Sequence, residues 1–172
     1  MSRRSRRVAL AGTIVLAAFM ASMCMGSFGA EATQNIGVSV RVPPTIQLSV
    51  AGGPVDYGDA VPGTPITNKV LNVGINSNKN WNLLVRKDHD LDNGTQTIAS
   101  SAFKFQGENA GTGVTINTGS YTEFGAANTQ IANGTRGAGR SLDVRYSLTV
   151  PWDTEGSTDS YSATHTYTAT QP

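Results

Sequence analysis

The chain has little of several residue types, and each shortage excludes a class of protein. It contains one cysteine, Cys24, among 172 residues. Everything after that position therefore lacks a disulfide, a thiol nucleophile and a cysteine-ligated metal. Charged residues make up only 15% of the chain, and the formal net charge is +1. This balance provides no basic field for nucleic acid, so we expect no nucleic-acid partner.

Catalytic motifs and helical patterns are also missing. The sequence has no phosphate-binding loop, zinc-ligand spacing or paired-carboxylate motif, so we expect a non-enzymatic protein with no cofactor and no catalytic residues. After residue 32 the apolar residues show no helical period, and lysine is sparse whereas Thr, Ser, Asn and Gly are abundant. That composition suits strands and tight turns rather than long helices.

The first 32 residues have the pattern of a secretory signal peptide. Four arginines lie within the first seven residues, an uncharged apolar run follows, and the stretch ends at Ala30-Glu31-Ala32. These features are a basic region, an apolar region and an A-x-A cleavage site. We predict a signal-peptide helix over residues 1–32 and one secreted domain over residues 33–172 that works at the extracellular surface. The alternative is an uncleaved anchor, because an apolar run of about 18 residues is near the lower limit for crossing a bilayer.

Apolar and polar residues alternate along most of the predicted domain, which indicates strands with one buried face. The predicted strands span residues 35–42, 46–50, 70–75, 81–85, 103–105, 114–116, 129–132, 142–150 and 161–169. Pro43 and Pro44 end the first strand because neither can donate a ladder hydrogen bond. The strands at 70–75 and 81–85 are predicted to form a hairpin, and most of 119–140 is predicted to be loop. Short strands with turn signals between them indicate an antiparallel, all-β, Ig-like sandwich with Greek-key connections.

Several short phrases occur in a fixed order along this domain. They are Val55-Asp56-Tyr57-Gly58, Pro62-Gly63, Trp81-Asn82-Leu83, Leu148-Thr149-Val150-Pro151 and the stretch 161–169. Their order resembles the WxL domain of bacterial cell-surface proteins, an all-β domain with two Trp-x-Leu motifs. Trp81 and Leu83 form the first motif. The second falls at Tyr167 and Ala169, where Tyr replaces Trp and Ala replaces Leu.

The resemblance implies a protein of the Gram-positive cell surface that attaches noncovalently to peptidoglycan or works beside other surface proteins. We therefore expect a non-enzymatic extracellular protein whose partner is the cell wall or another surface protein, as in adhesion. The alternative is a structural subunit of a surface fibre or pilus, in which the chain is its own partner. Donor-strand assembly would then use the first strand, with Ile36, Val38, Val40 and Val42 on one face.

The two tryptophans have different sequence contexts. Trp81 shares a strand face with Leu83 and Val85, which favours a core anchor over a ligand platform. Trp152 follows Pro151 at the end of a strand. A buried position and an exposed contact for sugars or partner proteins are equally compatible with that context.

Alternate aspartates at Asp88, Asp90 and Asp92 are the only candidate metal ligands that the sequence offers. Hard oxygen ligands spaced in this way are typical of calcium loops. The spacing of an EF-hand is not met, because its sixth position is Asn93 and its twelfth is Ala99. We therefore favour a solvated hairpin loop that turns at Asn93-Gly94, and we favour no metal.

Overall fold

The computed structural model describes residues 32–172, in two units that divide after residue 40. In the described part of the N-terminal unit, residues 32–40 form neither helix nor strand. The predicted signal-peptide helix, and with it the alternative of an uncleaved anchor, lies outside the described residues except for Ala32. Within residues 32–172 no helix is long and apolar enough to cross a membrane.

The second unit, Arg41–Pro172, is all-β, and its paired strands are all antiparallel. In chain order the strands are β1 (Ile46–Ala51), β2 (Ile66–Ser77), β3 (Trp81–Lys87), β4 (Leu91–Asp92), β5 (Thr97–Ile98), β6 (Phe103–Glu108), β7 (Val114–Ile116), β8 (Thr122–Glu123), β9 (Thr129–Gly134), β10 (Gly137–Leu148) and β11 (His165–Thr170). The all-β, antiparallel prediction is confirmed.

The strands form a large, a medium and a small sheet. The five-stranded sheet has the order β1-β2-β10-β6-β8, and the four-stranded sheet has the order β11-β3-β9-β7. β4 and β5 make a separate hairpin. β10 is the centre of the large sheet, where Val144 lies opposite Leu71 of β2 on one side and Gly107 of β6 on the other.

One hydrophobic core takes side chains from both larger sheets. Its largest fully buried side chains are Trp81, Phe105, Phe124, Ile75, Leu83, Ile131, Leu142, Val73, Val85 and Val144. Every second residue is buried over residues 71–77 of β2, 81–85 of β3, 103–107 of β6 and 142–148 of β10, as a two-residue period requires when one sheet face packs on a core. The inward positions predicted for these four strands are confirmed.

The predicted first strand, residues 35–42, is wrong as a strand of this fold. Residues 32–45 form no strand, and the first paired residue of the described chain is Ile46, opposite Ser77. Alternation makes a segment able to pair, but pairing needs a partner strand, and Pro43 and Pro44 interrupt the ladder before β1.

The predicted hairpin of 70–75 with 81–85 is also wrong. β2 pairs with β1 and β10, whereas β3 pairs with β9 and β11 in the other sheet. The connection at 78–80 therefore passes from one sheet to the other. The predicted loop 119–140 also contains the start of β10, because β10 begins at Gly137. Glycine-rich sequence hides this start, and the register of β10 with β2 is irregular between Gly137 and Arg140.

Candidate functional site

A groove of about 1150 Å³ lies in the part of the chain that the structure describes. β1 and β10 of the large sheet and β11 of the medium sheet contribute to it, together with the segments 53–62 and 154–164. Its apolar lining includes Leu48, Val50, Leu71, Phe103, Leu148 and Val150. The groove is larger than the roughly 300–1,000 Å³ of an ordinary small-molecule pocket.

An aromatic cluster with polar tips lines the same groove. The hydroxyl groups of Tyr146 and Tyr167 are 2.8 Å apart, and Tyr146 Oη lies 3.2 Å from Nδ1 of His165. The imidazole of His165 stacks on Phe124, with 3.8 Å between the ring centroids. β10 and β11 bring these groups together because their inward positions meet across the core.

Two polar atoms at this groove are buried without a hydrogen-bond partner. They are Nε2 of His165 and the hydroxyl oxygen of Tyr57. A buried polar group without a partner costs free energy, so both groups lower the stability of the core around the groove.

Burial shifts the ionisation of the cluster toward its neutral forms. Desolvation lowers the pKa of His165 to about 4 and raises the pKa of Tyr146 to about 12. Desolvation also raises the pKa values of Tyr57 and Tyr167 well above their usual range. The floor of the groove is therefore uncharged at neutral pH.

The mouth of the groove carries negative charge. Asp56, Asp59, Glu155 and Asp159 line it and are exposed, and none of them forms an ion pair within residues 32–172. Neither lysine nor arginine is present among the described residues that line the groove. The groove therefore combines an apolar floor with an acidic mouth.

The residues that resemble the WxL motifs lie on two neighbouring strands. Ala169 of β11 lies opposite Leu83 of β3, and Tyr167 lies opposite Val85. Trp81 is 1% exposed and Leu83 is fully buried. Trp81 is therefore a core anchor, as the sequence favoured, and cannot present a ring face to a ligand without unfolding.

Glycine makes room for the Trp81 ring. A Cβ atom added at Gly134, which lies opposite Trp81 in the β3–β9 pair, would be 2.2 Å from Cζ2 of the indole. The indole Nε1 is buried without a hydrogen-bond partner. The site thus combines close packing with one polar group that remains unpaired.

Trp152, the other tryptophan, lies at the surface. Its side chain is 79% exposed, and its indole lies over the backbone of Gly63, where an added Cβ would be 2.6 Å from Nε1. Gly63 has a φ of 77° and donates its N–H to the carbonyl oxygen of Val150 at 2.8 Å. Of the two positions that the sequence left open for Trp152, the structure has the exposed one.

The three aspartates that the sequence offered as candidate metal ligands contact separate partners. Asp88 Oδ1 accepts hydrogen bonds from the backbone N–H groups of His89 and Thr164. Asp90 pairs with the ammonium of Lys87, and Asp92 Oδ1 accepts from the N–H of Gly94 at 2.6 Å. Residues 32–172 contain no group of three such side chains placed to hold a metal ion.

The predicted donor-strand residues are exposed. The exposed fractions are 81% for Ile36, 91% for Val38, 88% for Val40 and 71% for Val42. These positions therefore form no part of the hydrophobic core described above. Comparison of the sequence with protein-family models and with curated proteins finds no match.

Sequence reasoning did not identify the groove or its aromatic cluster. Tyr57 entered only as part of the Val55-Asp56-Tyr57-Gly58 phrase and Tyr146 only as part of the predicted strand 142–150, and nothing in their spacing links them to His165. The groove depends on which strands form the sheet edges, and an isolated sequence does not specify those edges.

Proposed function

We propose that this protein is a non-enzymatic subunit that assembles with copies of itself at the cell surface. One observation carries the proposal: apolar residues alternate along residues 33–42, and this segment has no strand partner among residues 32–172. Ile36, Val38 and Val40 are each more than 80% exposed. Burying one such side chain fully is worth about 1.5–3 kcal/mol, so pairing this face with another surface would be strongly favourable.

The proposed export route places this segment where assembly needs it. Cleavage after Ala32 would leave residues 33–42 at the start of the mature chain. A terminal segment can enter another molecule without moving any folded element. The repertoire of peptide recognition includes such strand addition, in which main-chain hydrogen bonds provide affinity and alternate side chains provide specificity.

We propose further that the two larger sheets face each other as an Ig-like sandwich with Greek-key connections. The shared core supports this, because buried side chains of both sheets belong to one cluster. The strand orders support it too, since β2 and β3 are consecutive in the chain but belong to different sheets. A crystal structure of the mature domain tests this arrangement.

Sedimentation velocity of the mature chain, residues 33–172, tests the assembly. We expect oligomers that grow with concentration, and we expect monomers after deletion of residues 33–42. Val38→Asp and Val40→Asp should also give monomers because each charges the apolar face. Ser39→Asp is the matched control on the opposite face and should still assemble. A mature protein that stays monomeric at high micromolar concentration would overturn the proposal.

A second candidate function, association with peptidoglycan or another surface partner, is favoured by the exposed ring of Trp152. Aromatic faces with a wet edge suit sugar contacts. Mature protein should co-sediment with insoluble peptidoglycan, and Trp152→Ala should reduce the bound fraction. Val61→Ala, at another exposed apolar side chain, is the control and should leave binding unchanged. Protein that remains in the supernatant with several wall types would exclude this candidate.

A further inference from the structure

We propose that the groove between β1 and β11 receives residues 33–42 of a second copy of this chain as an added strand. This inference rests on the proposed self-assembly and specifies its acceptor site. The donor would bury its alternating apolar face, Ile36, Val38, Val40 and Val42, against the groove floor.

The edges of the two larger sheets provide the main-chain partners for such a strand. β1 is the last strand of the five-stranded sheet and pairs only with β2, and β11 is the last strand of the four-stranded sheet and pairs only with β3. Each therefore has one edge whose N–H and C=O groups are not used within the described sheets. An added strand satisfies such groups and also covers an edge that otherwise promotes aggregation.

The groove matches the donor in size and in chemistry. The edge strands β1 and β11 have six residues each and are about 20 Å long, and the seven residues from Ile36 to Val42 span about 23 Å when extended. Val50 of β1 lines the groove and is 42% exposed, so apolar surface is open to an occupant there.

Charge also matches between donor and acceptor. The donor segment has one charged side chain, Arg41, and cleavage after Ala32 adds an α-ammonium group at Thr33. The groove mouth has the four carboxylates described above, and no basic side chain is present among the lining residues within 32–172. Opposite charges of this kind direct the encounter and oppose pairing with an acidic segment.

The chain before β1 favours insertion into a second copy over insertion into its own groove. Residues 43–45 are fixed at the turn after β2, because Asn78 Nδ2 donates to the carbonyl oxygen of Pro43 at 2.7 Å and Thr45 N–H donates to Asn78 Oδ1 at 2.8 Å. To fill its own groove, the donor would have to reverse direction at Pro43-Pro44. Consecutive prolines hold the chain extended and disfavour that reversal.

Disulfide trapping tests the acceptor site, because the chain after Cys24 has no cysteine of its own. Mature protein with Val50→Cys is mixed with mature protein carrying Ile36→Cys, Val38→Cys or Val40→Cys and is oxidised. We expect a cross-linked heterodimer with at least one of the three donor positions. Ser39→Cys, whose side chain would point away from the groove floor, is the matched control and should cross-link at least tenfold less. All five positions are exposed, so folding should be preserved.

A double variant, Val40→Cys with Val50→Cys, distinguishes the two sources of the donor. Insertion between copies gives a ladder of covalent oligomers, as we expect, whereas a cross-linked monomer would overturn the second-copy donor. Sedimentation before oxidation separates this inference from the proposed function. Assembly that persists without any cross-link to Val50→Cys would overturn the groove as the acceptor and leave self-assembly standing. Absence of both assembly and cross-link would overturn both.

Discussion

Two stretches of this chain have the same apolar alternation and opposite burial. In the first stretch, Ile36, Val38 and Val40 are 81–91% exposed. In β10, Leu142 and Val144 are fully buried. Hydrophobicity cannot explain the difference, because isoleucine, valine and leucine occupy equivalent positions in the two patterns.

Neighbouring strands explain it. β10 has β2 on one side and β6 on the other, and its inward face meets the shared core. The first stretch precedes two prolines and has no paired neighbour within the described residues. Alternation of apolar and polar residues therefore indicates that a segment is able to bury one face. Whether the same chain provides a partner strand depends on the topology.

The largest expected effect comes from the buried side of this comparison. Trp81→Ala should lower the free energy of unfolding by about 3–5 kcal/mol, because it removes a large core side chain and leaves a cavity. Urea denaturation followed by circular dichroism measures the change. A variant as stable as the parent protein would show that the indole is not part of the core.

The next effect compares the two stretches directly. Leu142→Ala should cost about 2–5 kcal/mol, whereas Ile36→Ala should change the stability of the monomer by less than about 0.5 kcal/mol. Both substitutions remove side chains of the same size, so the difference reports burial alone. Denaturation below the concentration at which the protein assembles gives both values. Equal losses would mean that Ile36 is buried in the monomer.

A smaller effect is expected at β11, the edge strand beside the groove. His165 has a pKa of about 4 in the folded protein, below the ordinary value of 6.5, because burial disfavours its charged form. Between about pH 4 and pH 6.5, the imidazole of His165 is therefore protonated in the unfolded chain and neutral in the folded chain. The free energy of unfolding should have its full value above pH 6.5. It should fall by on the order of 2 kcal/mol as the pH decreases to about 4.

The control for this pH dependence is His165→Gln, which removes the titrating group. Its stability should be nearly constant between pH 6.5 and 4.5. Below that range the carboxylates with lowered pKa values, including Asp90 and Asp143, also lose their native partners. A parent protein whose unfolding free energy is unchanged between pH 7 and 4.5 would contradict the burial of the imidazole.

The sequence predicted the core of this fold well because its strands have a strict two-residue period. Leu71, Val73 and Ile75 are inward as expected, and so are Trp81 and Leu83. Pairing partners were not predictable in the same way. The expected β2–β3 hairpin failed because a three-residue polar connection can close a hairpin or cross between sheets, and local sequence does not distinguish the two.

The candidate site was less predictable than the core. The donor residues were identified from their alternation, whereas the acceptor groove depends on Tyr57, Tyr146 and His165, which are far apart in the chain. Their proximity is a product of strand order. Charge at the groove mouth was equally hidden, since Asp56 and Asp159 lie in separate polar connections that look like ordinary solvated loops.

The smallest effect is expected at Trp152. Trp81 and Trp152 differ in burial in the same way as the two stretches compared above. Trp81 is 1% exposed and Trp152 is 79% exposed. The indole of Trp152 covers the backbone of Gly63 but has no place in the core, so Trp152→Ala should change the free energy of unfolding by less than about 0.5 kcal/mol. Thermal and urea denaturation of the mature protein check this value. When these measurements give unchanged stability, any loss of binding to peptidoglycan in this variant is assigned to the exposed ring itself. A loss of stability comparable to that of Trp81→Ala would instead show that Trp152 supports the turn at Gly63 and is a structural residue.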